Sequence, residues 1–360
     1  MRTSPRRDVI DTVFLGLLSV ALFTAFPPFS DIYRLWRREA GEAIVGGLVA
    51  GEFEYPPLAA LYFEPLSWLP SSRWAVVVNG LLMVAAAVGV TLILHKARDA
   101  HFGDRIDMRL WVISPALLFF LPINWDVAAC FLTVAALLMF YSKQTTGSGA
   151  FLGAGTSLKI FPGAPVLPLA ALLSDGRERV RFLGAGAVVL GGSYLVYMAA
   201  RPATWRIHLD FAQQREDYEA TIWGLVDSVA HWFGGELGLS TVNVLSTVAL
   251  IGGIALVTVW AWRSRPEPLR VVVLSIIVLL LANKVFKPQY VLWVLPFLAW
   301  YGSRRWQVRV LEVAAIVQIS VTYFSLPRAL VGLATGARIL MLCLLGVAVF
   351  TEARAGQRVA

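Results

Sequence analysis

The chain has 360 residues, 58% of them hydrophobic, and a formal net charge of +8. Soluble domains average about 45–50% apolar residues. A mean hydropathy of +0.69, with apolar runs of about 20 residues recurring from end to end, excludes a soluble globular protein and indicates a polytopic membrane protein.

The positive charge does not point to nucleic acid. It lies in short clusters between apolar runs: Arg2/Arg6/Arg7, Lys96/Arg98/Arg105/Arg109, Arg177/Arg179/Arg181, Arg263/Arg265/Arg270, Arg304/Arg305/Arg309 and Arg354/Arg358. This positive-inside pattern places those loops and both termini in the cytoplasm. No hydrophilic stretch is long enough for a separate soluble domain, so residues 1–360 are expected to form one membrane domain. Cys130 and Cys343 both fall in apolar runs, which gives no sign of a disulfide or a CxxC metal site.

The first apolar run, Val9–Phe26, lacks a small-x-small cleavage site and ends at Pro27-Pro28, so it is read as a retained span. Segment Pro27–Tyr55 follows on the non-cytoplasmic side. Ile32, Leu35, Trp36, Ala40, Ala43 and Leu48 recur there at three- to four-residue spacing, which predicts a helix lying on the membrane interface. At its start, Ser30 or Asp31 can cap that helix. The other reading of Asp31 is a general base, kept ionised by the helix N-terminus, that takes a proton from an attacking hydroxyl. Glu54 is either a second carboxylate of the same site or a solvated loop residue. Pro56-Pro57 suits the first turn of the next helix.

Further apolar segments run near 57–69, 74–95, 110–122, 125–142, 150–173, 182–200, 238–262, 271–283, 289–302, 310–326 and 337–352. The expected fold is all-α, a bundle of about 10–12 transmembrane helices with short or broken members and an external interfacial helix. Segment 57–69 reaches only about 18 Å as a helix, less than the hydrocarbon thickness. If it dips in without crossing, Lys96–Arg109 stays with the other basic loops, and this is the expected arrangement.

Asn124-Trp125-Asp126 falls between two short segments. Asp126 either caps the following helix or binds sugar hydroxyls, with Trp125 stacking on the ring. Lys159 lies within a 25-residue apolar stretch broken by Pro162, Gly163, Pro165 and Pro168. Two half-spans meeting near Lys159–Pro162 are expected, because broken helices at membrane depth line cavities. The lysine either snorkels to the headgroups or meets an anionic partner there. The second external segment, Arg201–Asp217 with an interfacial stretch to Gly235, brings candidates His208 and Arg215. Arg215 can fork onto a phosphate, and the cluster can equally be solvated surface. Lys284 and Lys287 sit between two apolar runs, Val271–Ala282 and Tyr290–Trp300. Charge there is costly and marks a functional site, one suited to a lipid phosphate. The alternative is an exposed cationic loop.

Three stretches together resemble a known family. They are Phe53-Glu54-Tyr55-Pro56-Pro57-Leu58 with Pro65-Leu66 and Leu69-Pro70, then Ser157-Leu158-Lys159-Ile160-Phe161-Pro162, then Lys284-Val285-Phe286-Lys287-Pro288-Gln289-Tyr290 continuing to Pro296. The chain is similar to the GT-C glycosyltransferases, above all the glycosyltransferase 87 group of polyprenol-phosphate-mannose-dependent mannosyltransferases of actinobacteria. The resemblance implies an inverting enzyme with a polyprenyl-phosphate sugar donor and an active site facing away from the cytoplasm. It implies an acidic base in the first external loop, where Asp31 matches, and a donor site shaped by the Lys159 motif and by Lys284, Lys287, Gln289 and Tyr290. Two departures stand out: Asn124-Trp125-Asp126 replaces a Gly-Gln-Asn-like turn, and Lys287 stands where Ser is more common.

The expected reaction is sugar transfer, with mannose the family's common choice, to a lipid or glycan acceptor at the outer face of the plasma membrane. Asp31 is the base, and some of Lys159, Arg215, Lys284 and Lys287 neutralise the leaving phosphate. No cofactor or metal is expected, and the donor, the acceptor and membrane lipids are the partners. The rival readings are a non-enzymatic polyprenyl-phosphate-lipid carrier or flippase and a structural subunit of envelope assembly.

Overall fold

The computed structural model describes residues 4–27, 30–41, 55–202, 205–216, 218, 220–302, 304–324 and 329–356. All regular structure among them is helical. Helix α1 (Pro5–Ala25) starts where theory favours it: the Ser4 hydroxyl accepts the Arg7 amide at 3.2 Å and Pro5 occupies the first turn. It runs antiparallel to α4 (Ser72–Ala97). Asp8 meets His95 at 2.9 Å near one end, and the Thr12 and Thr91 hydroxyls meet at 3.0 Å.

Between them lie α2 (Asp31–Gly41) and α3 (Pro57–Ser67). At 11 residues, α3 spans only about 16 Å. It does not cross, so Lys96–Arg109 ends beside the N-terminus, as the basic pattern requires. Pro57 starts α3 as expected. The amphipathic α2 buries Ile32 and Leu35, exposes Arg34 and packs on α3 and α4.

The remaining helices alternate between two ends of the bundle. They are α5 (Arg109–Val112), α6 (Pro115–Phe120), α7 (Asp126–Tyr141), α8 (Thr145–Leu158), α9 (Val166–Leu172) and α10 (Gly176–Ala200). Then come α11 (Ile207–Gln214), α12 (Ile222–Trp232), α13 (Leu239–Ser264), α14 (Pro268–Ala282), α15 (Val291–Tyr301), α16 (Arg305–Phe324) and α17 (Ala329–Gly356). Among the described residues the chain passes between the ends twelve times; the foreseen segment 57–69 makes no pass and the foreseen segment 150–173 makes two. The passes are α1, α4, α5–α6, α7, α8, residues 161–172, α10, α13, α14, α15, α16 and α17. Among the described residues five helices are long and apolar enough to cross a bilayer: Pro5–Ala25, Ser72–Ala100, Gly176–Ala200, Leu239–Ser264 and Ala329–Thr351. The other passes are short or broken and lean on these. Helix α15 has only 11 residues, every one of them buried.

The basic clusters converge at one end. Arg105 binds the Glu267 carboxylate at 3.0 Å, and Arg305 pairs with Asp107. Arg265 donates to the carbonyls of Ala171 (2.9 Å) and Leu172 (2.7 Å), Arg179 to that of Leu173 (2.6 Å), and Arg270 to that of Val349 (3.4 Å). A charge-rich face of this kind is what the positive-inside pattern demands of one membrane side.

Close contact between α8 and α10 rests on glycine. A Cβ on Gly149 would lie 2.0 Å from the Phe182 carbonyl oxygen, and one on Gly153 would lie 2.4 Å from that of Gly186. Small residues allow such backbone approach between membrane helices. Cys130 is buried, Cys343 is exposed, and both are free thiols.

Candidate active site

The site lies at the end of the bundle opposite the basic clusters. Helix α1, with 21 residues, carries the chain about 31 Å from Asp8 toward Asp31. Ser30 takes the capping role: its hydroxyl accepts the Ile32 amide at 3.2 Å and faces the carbonyls of Pro122 (3.2 Å) and Ile123 (3.1 Å). The Asp31 amide donates to Ile123 at 2.9 Å. The carboxylate of Asp31 is therefore released from capping. One oxygen accepts from the Asn124 amide at 3.3 Å, the other faces the exposed Arg34 at 3.3 Å, and the side chain keeps 21% exposure.

Asn124 leads inward. Its amide oxygen accepts the Asp126 backbone N–H at 2.8 Å, so Asn124, and not the Asp126 side chain, satisfies the start of α7. The expectation that Asp126 caps its helix is thus corrected. Asp126 is 2% exposed and pairs with Lys159 at 3.2 Å. The Lys159 ammonium also lies 4.6 Å from the centre of the Tyr55 ring and 5.5 Å from that of Trp125. The break between α8 and α9 falls at Lys159, as the proline pattern foretold. However, the lysine neither snorkels outward nor stands as an unneutralised cation, because a buried charge needs a partner and Asp126 supplies it. Trp125 is wholly buried with its indole N–H on the Leu158 carbonyl at 3.1 Å. Of the two readings, this disfavours the one in which Trp125 stacks on a sugar ring.

The loop between α14 and α15 joins the same end. Tyr290 stacks on Trp293 at 3.8 Å, and the Trp293 indole N–H approaches the Asp126 carboxylate. Lys284 is only 8% exposed. Its ammonium donates to the Gln213 carbonyl at 2.9 Å and to the Asn243 side chain, with Arg215 near enough to repel it. The exposed-loop reading is thereby removed for Lys284. Lys287 is partly exposed, and Gln289 is buried. His208 on α11 is buried against the Tyr194 hydroxyl at 2.8 Å, and burial lowers its imidazole below the usual histidine value. Its hydrogen bond ties α11 to α10, a structural role. Arg215 is half-buried with its guanidinium 5.4 Å from the Phe211 ring. Glu54 lies outside the described residues.

One residue escaped the sequence reading. Arg338 is fully buried in α17. It donates to the carbonyls of Phe286 (3.0 Å) and Lys287 (3.1 Å), binds the Gln318 side chain and stacks 3.5 Å from the Phe286 ring. It clamps the lysine loop. A lone arginine in a long apolar helix was the available signal. Beside it, between α16 and α17, runs an open apolar groove of about 410 Å³, lined by Val313, Val317, Leu330 and Leu333 among others. Among the described residues, no three His, Cys, Asp or Glu side chains group as metal ligands do.

Asp31, Asn124, Asp126, Lys159, Trp293 and Tyr290 thus form one run of contacts: a partly exposed carboxylate at one end, a cationic loop at the other. Such a site can accept a proton and hold an anion. The family model for glycosyltransferase family 87 matches residues 53–288. The chain is also 26% identical over 340 residues to a polyprenol-phosphate-mannose-dependent alpha-(1-2)-phosphatidylinositol mannoside mannosyltransferase of Mycobacterium tuberculosis, covering 84% of this chain and 77% of that one. A family match across more than half of a chain with this helical bundle identifies it: the chain belongs to glycosyltransferase family 87 and is a membrane glycosyltransferase.

Proposed function

We propose that the enzyme moves mannose, with inversion, from a polyprenyl-phosphate donor to a glycolipid acceptor at the outer face of the plasma membrane. The observation that carries this reading is the Asp31 carboxylate. It is relieved of capping, partly exposed, at the end away from the basic clusters, and connected through Asn124 and Asp126 to the lysine loop. The positive-inside rule makes that end external. The name of the mycobacterial relative supports the donor, the sugar and an acceptor of the phosphatidylinositol mannoside kind.

In this mechanism Asp31 takes the acceptor hydroxyl proton as its oxygen attacks the anomeric carbon, and the bond to the lipid phosphate breaks. Lys287, with Arg215 and Lys284 behind it, faces the leaving phosphate and stabilises the charge that develops there. Lys159 acts through Asp126 to shape the floor. The groove between α16 and α17 suits an isoprenoid tail, since its walls are almost wholly apolar. Cationic neutralisation of the phosphate does the work a metal would do, and transfer should persist in a chelator.

Purified protein incubated with labelled polyprenyl-phosphate mannose and a phosphatidylinositol mannoside tests the reading. A new glycolipid is expected from the wild type, and none from Asp31→Asn, which should still bind donor. Product from Asp31→Asn at the wild-type rate overturns the base. Donor movement across vesicles without product would indicate a carrier, and neither outcome a structural subunit.

A further inference from the structure

We propose that Asn124 is the positioning residue for Asp31: it fixes one carboxylate oxygen and leaves the other to receive the acceptor's proton. The inference rests on Asp31 being the base.

The orientation of the Asn124 amide follows from its partners. Its oxygen accepts the Asp126 backbone N–H at 2.8 Å. That N–H can only donate, so the opposite end of the amide is the NH₂ group, and this group lies 3.3 Å from Asp31 Oδ2. Asn124 is 1% exposed and cannot swing into solvent.

The turn that carries it is bracketed on both sides. Asn79, fully buried on α4, donates to the carbonyls of Pro122 (3.2 Å) and Asn124 (3.3 Å), and its own oxygen accepts the Tyr62 hydroxyl at 2.8 Å. From the other side, Ser30 and the Asp31 amide hold the carbonyls of Pro122 and Ile123. The start of α2 and the start of α7 are thus tied through one turn. Oδ2 of Asp31 is held by a buried neutral donor, while among the described residues Oδ1 meets the exposed Arg34. A hydrogen bond to the ionised carboxylate favours that form, and a fixed rotamer directs the remaining lone pair.

Two variants isolate this role. Asn124→Asp keeps an oxygen to accept the Asp126 N–H but replaces the donor to Asp31 with a like charge. Asn124→Ser keeps an acceptor, stays neutral and loses the reach to Asp31. Each is assayed as full-length protein in detergent with polyprenyl-phosphate mannose and phosphatidylinositol mannoside, across pH. Losing a hydrogen bond to a charged group predicts a fall in kcat of about ten- to a hundredfold for Asn124→Ser, with donor KM within about twofold. The acid limb of the kcat profile should move up by about one pH unit, and further for Asn124→Asp. Melting close to wild type should accompany both. A wild-type acid limb in both variants, whatever the loss of rate or melting temperature, overturns the proposal and leaves Asn124 a structural cap. If Asp31→Asn itself turns over normally, the base assignment fails first and this inference falls with it. The two failures are distinguished by which variant keeps its activity.

Discussion

Removing either partner of the Asp126–Lys159 pair should destabilise the protein, and removing both should restore much of the loss. The two side chains are 2% and 6% exposed and 3.2 Å apart. At an effective dielectric near 20, that separation corresponds to a Coulomb attraction of about 5 kcal/mol, most of it offset by desolvation. Deleting one charge leaves the other buried and uncompensated, at about 3–5 kcal/mol. The halves are not equal. In Asp126→Asn, the ammonium keeps the Tyr55 and Trp125 rings, each worth about 1 kcal/mol, so the loss sits near the lower bound. In Lys159→Met, Asp126 keeps little beyond the Trp293 indole, and the loss sits near the upper. In a chain of this size that corresponds to roughly 4–7 °C in melting temperature. The double variant should recover about 2 kcal/mol or more relative to additivity. Thermal unfolding of the four proteins in detergent measures this directly. Additive shifts would refute the pairing. A tenfold loss of donor affinity in Lys159→Met, absent in Asp126→Asn, would instead return Lys159 to the phosphate.

Lys287→Ala should weaken binding of polyprenyl-phosphate mannose by about tenfold, the effect of one charge-assisted contact; unchanged affinity by titration removes Lys287 from the site. Arg338→Gln should raise donor KM and lower the melting temperature together, because the Phe286 and Lys287 carbonyls lose their clamp; a melting loss with donor KM unaltered would show that the loop holds its shape unaided. Gly153→Val puts a Cβ 2.4 Å from the Gly186 carbonyl oxygen, and prying α8 from α10 should cost about 1–3 kcal/mol; wild-type melting would show that the two helices separate without strain.

Much of the fold was legible because a bilayer writes simple rules into a chain. Apolar segments gave most of the passes, arginine clusters marked one end, and prolines marked the break at Lys159, where one foreseen segment folds into two passes. Length was a sound guide for α3, too short to cross, and fails for the wholly buried α15, an 11-residue helix shielded by neighbours that sequence does not place. The candidate site was legible as residue types at one end of the bundle. Its pairings were not. Lys159 was open between snorkelling and an anionic partner, and the partner is Asp126; Trp125 was open between structure and a sugar platform, and it is buried; Arg338 carried the same lone-charge signal as Lys159.

By itself the sequence determined that this chain lives in a membrane, where its apolar segments fall and that its basic residues gather between them, because hydropathy and charge act locally along the chain. Only the tertiary structure decided which buried charges neutralise one another and which carboxylate stays partly open to water. Those outcomes depend on contacts between residues such as Asp31 and Asn124, 93 positions apart, and a separation of that size leaves no local trace.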